Sequence, residues 1–174
     1  LFLGLRKTSH LYYAFYLVCL IALNLAYTGH GLAWLWPGNP GLQRYVILML
    51  MIAFGYAGLV FASRFLDLSV HVPRGLAAMR AVCMLVLVLF ALSVWRDAHW
   101  AAVLVAFGFA GLFLITMVWF GWLSAERGEV AARYFLLAVV CGMVGGSAIF
   151  LLNLGVLPYN FWTFRSLETG ISLE

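Results

Sequence analysis

The stretch YVILMLMIAFGYAGLVFAS, residues 45–63, decides the fold. It carries no charged side chain, and neither do residues 98–124 or 134–164. A bilayer core of about 30 Å needs roughly 20 apolar residues at a rise of 1.5 Å each. Each run reaches that length, and polar breaks fall where helices would leave the lipid. The chain therefore reads as an all-α integral membrane protein.

Composition points the same way. Hydrophobic residues make up 66% of the 174 and charged residues 9%, whereas a soluble domain has about 45–50% and about 25%. A water-soluble fold built from this chain would expose large apolar patches and aggregate. Crossings and short connections use nearly every residue, which leaves no room for a soluble catalytic domain. The net charge of +4 follows from loop Lys and Arg placed by membrane topology, so no nucleic-acid partner is expected. Cys19, Cys83 and Cys141 lie inside apolar runs without CxxC spacing. They read as small buried hydrophobes, not as a metal or redox motif.

Working outward, LFLGL at residues 1–5 reads as the tail of a helix, with Arg6, Lys7, Thr8 and Ser9 as its exit loop. No cleavable signal peptide is visible there. Whole helices are expected over about residues 10–28, 43–63, 76–95, 100–123 and 133–154, and a last one begins near Arg165. Residues 29–43, GHGLAWLWPGNPGLQ, read as a loop because Pro37, Pro40 and the glycines interrupt any helix. The expectation is a seven-transmembrane helix bundle, present from the end of helix 1 to the start of helix 7. It would be one receptor-like membrane domain over residues 1–174, cut at both ends.

Charge sets the orientation. Odd-numbered connections carry Arg6, Lys7, Arg64, Arg74, Arg80, Arg127 and Arg133, and even-numbered ones carry Arg44, Arg96 and Arg165. This bias places the odd-numbered connections in the cytoplasm. An upstream domain would then be extracytoplasmic and a downstream one cytoplasmic, the geometry of a receptor relaying a signal inward.

Chemistry-bearing residues are few. His10, His30, His71 and His99 sit at span ends, not at mid-span where helices hold haem. His30 and His99 find only Asp97 as a third ligand, so no metal is expected. Lys7 is the one lysine and stands at a helix end, which removes a retinal Schiff base. No catalytic residue and no cofactor are expected. Asn24, Ser93, Thr116, Ser147 and Asn153 are the polar remainder of the spans, and such groups bond across helices or to the i−4 carbonyl. Ionisable residues inside a membrane mark function, which singles out Glu174 as the deepest acid; Glu168 reads as interfacial. Arg64 and Asp67, three apart, are placed to pair. Gly142 with Gly146, and Gly58 with Ala62, have the small-residue spacing that lets helices pack closely.

Four segments carry a resemblance. HLYYAFYL, residues 10–17, resembles the YLYYALYL-type opening of the bacterial seven-transmembrane receptors with diverse intracellular signalling modules. ASRFLDL, 62–68, is similar to that family's ARxFLxL exit, and AARYFLLA, 131–138, to its ARYFLLA segment. GVLPYNFWTFRSLETGISLE, 155–174, resembles its GxLPxNxxTxxxxxxGxxxE block. The matching positions are Tyr12, Tyr13, Asp67, Arg133, Tyr134, Pro158, Asn160 and Glu174. The resemblance implies a signal-transduction module of the bacterial inner membrane, not an enzyme. It implies an extracytoplasmic sensor domain before helix 1 and a cytoplasmic output after helix 7, such as a diguanylate cyclase, histidine kinase or phosphatase. Its implied partners are the lipid bilayer, those two domains of the same chain and, because such outputs act as dimers, a second copy.

Trp34, Trp36, Tyr159, Asn160 and Trp162 are candidates for contact with a ligand or the sensor domain on the outer face. Anchoring in the aromatic belt at headgroup depth explains the tryptophans equally. Two alternatives stand beside the receptor: a polytopic transporter, and a bundle that binds a lipid or small hydrophobic ligand. A transporter calls for clustered ionisable groups at mid-membrane or broken helices in matched halves, and the sequence offers few.

Overall fold

Lengths and breaks in the helices follow where glycine, proline and polar residues fall. The computed structural model describes residues 2–34, 39–66, 68, 73–126, 128, 130–153, 158 and 160. The helices are α1 Phe2–Tyr27, α2 His30–Trp34, α3 Pro40–Phe65, α4 Pro73–Trp95, α5 His99–Glu126 and α6 Val130–Asn153. No strand occurs among the described residues. The all-α membrane fold expected from the sequence is the fold observed.

One expected boundary is absent. α1 runs for 26 residues without a break through Arg6, Lys7, Thr8 and Ser9, where the sequence suggested a loop. None of the four is glycine or proline, and Arg and Lys are good helix formers. Their polarity says where water begins, not where the backbone must turn. The 29–43 segment is only partly a loop, since α2 occupies five residues of it and α3 starts at Pro40. Proline suits a first turn, where the missing N–H would have no intrahelical partner anyway. α4 likewise starts at Pro73.

Among the described residues three helices are long and apolar enough to cross a membrane: Gly41–Phe65, Pro73–Trp95 and His99–Glu126. Within α1 and α6 the described apolar stretches, Leu11–Tyr27 and Ala132–Val144, are shorter. Beyond Arg80, α4 is apolar on all sides but for the buried Ser93. Met84, Leu85, Leu87 and Val88 are each at least 50% exposed, as a helix facing lipid permits and one facing water does not.

Contacts divide the chain into two units, residues 1–113 and 114–174, with the division inside α5. In the first, α1 packs along α3. Tyr16, Cys19 and Ala57 are buried together, with Leu17 and Phe54 against them. Tyr16 stacks on Phe54 at 4.8 Å between ring centres, and Phe54 meets Phe113 edge-on at 6.1 Å. The closeness depends on two glycines of α3. A Cβ on Gly58 would lie 2.8 Å from Phe113 and 3.2 Å from Tyr16, and one on Gly55 would lie 2.8 Å from Phe109. In the second unit Gly121 of α5 plays the same part, a Cβ there lying 3.0 Å from Leu136 of α6. Gly142 does not: a Cβ on it meets nothing within 4 Å among the described residues. Of the small residues noted in the sequence, Gly58 and Ala62 are packed and Gly142 is open.

Gly58→Ala is expected to destabilise the purified protein by about 1–3 kcal/mol, the range for overpacking a filled interior. Gly108→Ala meets open space and should be neutral or stabilise by up to ~1 kcal/mol through helix propensity. Melting temperatures in detergent check the pair. Equal values would show that Tyr16 and Phe113 do not seat on α3.

Candidate functional site

Polar contacts between helices of the first unit gather at its two ends. At one end the link between α4 and α5 is only three residues long: Arg96, Asp97 and Ala98. Asp97 N–H donates to Val94 C=O at 3.1 Å, and Ala98 N–H to Ser93 C=O at 2.9 Å. Those two bonds close a helix of Schellman type, which needs a left-handed residue at the position Asp97 holds. Its φ is 51°, and aspartate is among the few non-glycine residues that tolerate this region. Ala98 C=O then accepts from Ala101 and Ala102, starting α5.

The same turn aims the Asp97 carboxylate at α3. Tyr45 Oη–H donates to Asp97 Oδ1 at 2.8 Å. His99 packs edge-on against the Tyr45 ring, 5.5 Å between centres. His99 Nδ1 is buried and, among the described residues, has no hydrogen-bond partner. An orphan of this kind costs about 1–3 kcal/mol. Nearby, Gln43 Nε2 donates to Ala26 C=O and ties the start of α3 to the end of α1. Thr28 Oγ1 lies 2.9 Å from His30 Nδ1.

The other end brings two of the sequence motifs together. Residues 10–17 of α1 face residues 61–65 of α3. The Arg64 guanidinium stands 5.8 Å over the Tyr12 ring, within range of a cation–π contact. Tyr13 lies 5.3 Å from Phe61 between ring centres. Tyr16 and Phe65 flank the same Phe61, at 6.2 Å and 5.4 Å.

In the second unit AARYFLLA divides by face. Ala132 and Phe135 are buried, while Arg133 and Tyr134 are exposed. Pro158 and Asn160 are exposed as well. Asp67, Trp36, Tyr159, Trp162 and Glu174 lie outside the described residues, and of Trp34 only the backbone, at the end of α2, is described. The aromatic contact surface expected on the outer face is therefore not among the geometry described.

Sequence reading missed the Tyr45–Asp97–His99 group, because Tyr45 stands 52 residues before its acceptor. The usable signal was local: a three-residue break between long helices needs a left-handed residue, and Asp97 was the one suited to it.

The family model described as 7TM diverse intracellular signalling matches residues 1–174. No curated protein and no solved structure matches the chain. The chain belongs to the 7TM diverse intracellular signalling family, and with its apolar helices it is a signalling receptor module of a multi-pass membrane protein.

Asp97→Gly and Asp97→Ala both remove the carboxylate that Tyr45 reaches. At φ 51° the alanine also carries the left-handed cost of about 1–2 kcal/mol that glycine escapes, so the glycine variant is expected to melt higher. Tyr45→Phe should lower the melting temperature of the wild type and change neither variant. Additive losses in the double variants would show that the two side chains are not coupled.

Proposed function

We propose that this membrane domain relays an extracytoplasmic signal to a cytoplasmic output domain carried by the same polypeptide, in the bacterial inner membrane. The observation that carries the reading is the family match along the whole of residues 1–174. The asymmetry of charge supports it. In the first unit Arg6, Lys7, Arg64, Arg74 and Arg80 belong to the end where α1 meets the exit of α3, and only Arg44 and Arg96 to the Asp97 end. With the more basic end inside, the Asp97 end faces out.

On this reading catalysis belongs to the output domain, a diguanylate cyclase, histidine kinase or similar. The bundle contributes two helix arrangements whose balance a signal shifts. A ligand or sensor domain moves that balance only by its different affinity for the two arrangements. The Tyr45–Asp97–His99 group is where the relay would begin. It pins the α4–α5 turn to α3 and leaves one buried nitrogen unsatisfied, so a second arrangement that satisfies His99 is within reach of a modest input. Outputs of these kinds act as dimers, and the full receptor is expected to be one.

Orientation is tested with a membrane-impermeant maleimide on intact cells. The background replaces Cys19, Cys83 and Cys141, which lie within the helices. Ala98→Cys should label from outside, and Gly128→Cys only after permeabilisation; the reverse pattern would overturn the direction of the relay. In the full-length receptor, Tyr45→Phe should shift output activity without changing the amount of protein in the membrane. An unchanged output, alongside a normal response to deleting the upstream domain, would remove this group from the pathway.

A further inference from the structure

At the Arg64 end an open cleft of about 430 Å³ lies between α1, α3 and α4. Arg64 and Arg80 line it, with Tyr12 and the buried Ser63 beside them. Among the described residues no carboxylate lines the cleft and neither arginine has an ion pair. Beside it is an equally open apolar groove of about 190 Å³ between α3, α4 and α5, lined by side chains such as Ile52, Cys83, Leu87 and Phe90. Tyr56 lines both spaces, so the two adjoin at its ring.

We propose that cleft and groove form one binding site for an anionic phospholipid, with its phosphate between Arg64 and Arg80 and an acyl chain in the apolar groove that shares Tyr56. Two guanidinium groups facing one space, with no counter-charge among the described residues, call for an anion, and their forked donors match phosphate oxygens. The adjoining groove is lined almost wholly by apolar side chains and offers an acyl chain close contact where it offers water no polar partner. A head that is anionic and a tail that is hydrocarbon satisfy both halves at once. Arginines that merely snorkel to the headgroups would need neither a shared cleft nor an apolar groove beside it. The site is distinct from the outer-end group, and its test reads binding, so it stands or falls separately from the relay.

The experiment is a titration of the detergent-purified protein followed by its melting temperature. The probes are dioleoylphosphatidylglycerol, the phosphatidylcholine of the same chains, and inorganic phosphate. Phosphatidylglycerol is expected to raise the melting temperature saturably, and the other two to do little. Arg64→Gln and Arg80→Gln should each weaken the apparent affinity roughly tenfold, the worth of one charge-assisted hydrogen bond. Arg64→Lys, which keeps the charge and loses the fork, should fall between wild type and Arg64→Gln. Ala53→Leu, which narrows the groove, should weaken the response to phosphatidylglycerol. Arg74→Gln serves as control, because Arg74 is exposed and does not line the cleft. An Arg74→Gln loss as large as that of Arg64→Gln would reduce the effect to general surface attraction and overturn the proposal. So would an equal response to inorganic phosphate, which would make this a free-anion site, or the lack of a saturable response to phosphatidylglycerol. Should loss of the Tyr12 contact unfold Arg64→Gln, the Arg80→Gln titration decides alone.

Discussion

Missing side chains at Gly55 and Gly58 are the constraint on which residues 1–113 depend. Lipid tails are as apolar as leucine, so helices in a bilayer are not driven together by the hydrophobic effect and must gain from close packing instead. Dispersion falls steeply once a gap of 0.5–1 Å opens. At both glycines an aromatic ring occupies the place where a methyl group would stand, Phe109 at one and Phe113 with Tyr16 at the other. Tyr16, Phe54 and Phe113 then form a continuous row of ring contacts joining α1, α3 and α5. A bulkier residue at either glycine would push away the very rings that hold the three helices at contact distance.

The same solvent sorts the polar groups. An unsatisfied donor or acceptor in hydrocarbon costs several kcal/mol, and the hydroxyls inside the spans answer by bonding to their own helix. Ser63 donates to Val60 C=O and Ser93 to Leu89 C=O, each at 2.8 Å. Polar contacts between different helices sit near the span ends instead: Tyr45 to Asp97, Gln43 to Ala26, Arg64 over Tyr12. The middle of the unit is held by shape and the ends by directed contacts. Directed contacts are the ones a ligand, a neighbouring domain or a lipid headgroup can exchange for others.

This division also explains what was legible in the sequence. Membrane crossing is written in one dimension, as length without charge, so the all-α class could be read from residues 45–63 before any motif. Breaks were legible where proline or a short polar run forced them, as at Pro40, Pro73 and Asp97. They were misread at Arg6 to Ser9, where polarity stood in for a turn that no residue there requires. Spacing of small residues was an incomplete guide, because it tells which face is flat but not what stands opposite. Gly58 has Phe113 against it, and a Cβ on Gly142 would meet nothing within 4 Å among the described residues. The motifs at residues 10–17 and 62–68 were recognisable singly. That they lie against each other, through Tyr12 with Arg64 and Tyr13 with Phe61, is a fact of tertiary structure with no trace in either string.

One element belongs to both ends. α3 begins beside Asp97 through Tyr45 and finishes beside Tyr12 through Arg64. The two contacts are nineteen residues apart on one helix, or about 28 Å at 1.5 Å per residue. On the proposed relay α3 would act as a rod, passing a tilt applied at one end to the other. Breaking Tyr45–Asp97 frees the first end, and the partners that must give way at the second are Tyr12, Tyr13 and whatever fills the arginine cleft. On the proposed relay, an occupant of that cleft bridging α3 and α4 would favour one of the two helix arrangements. By linkage, any signal that favours the other arrangement must then weaken its binding by the same factor. Receptor output and lipid affinity would in that case be two readings of one equilibrium, measured at opposite ends of α3.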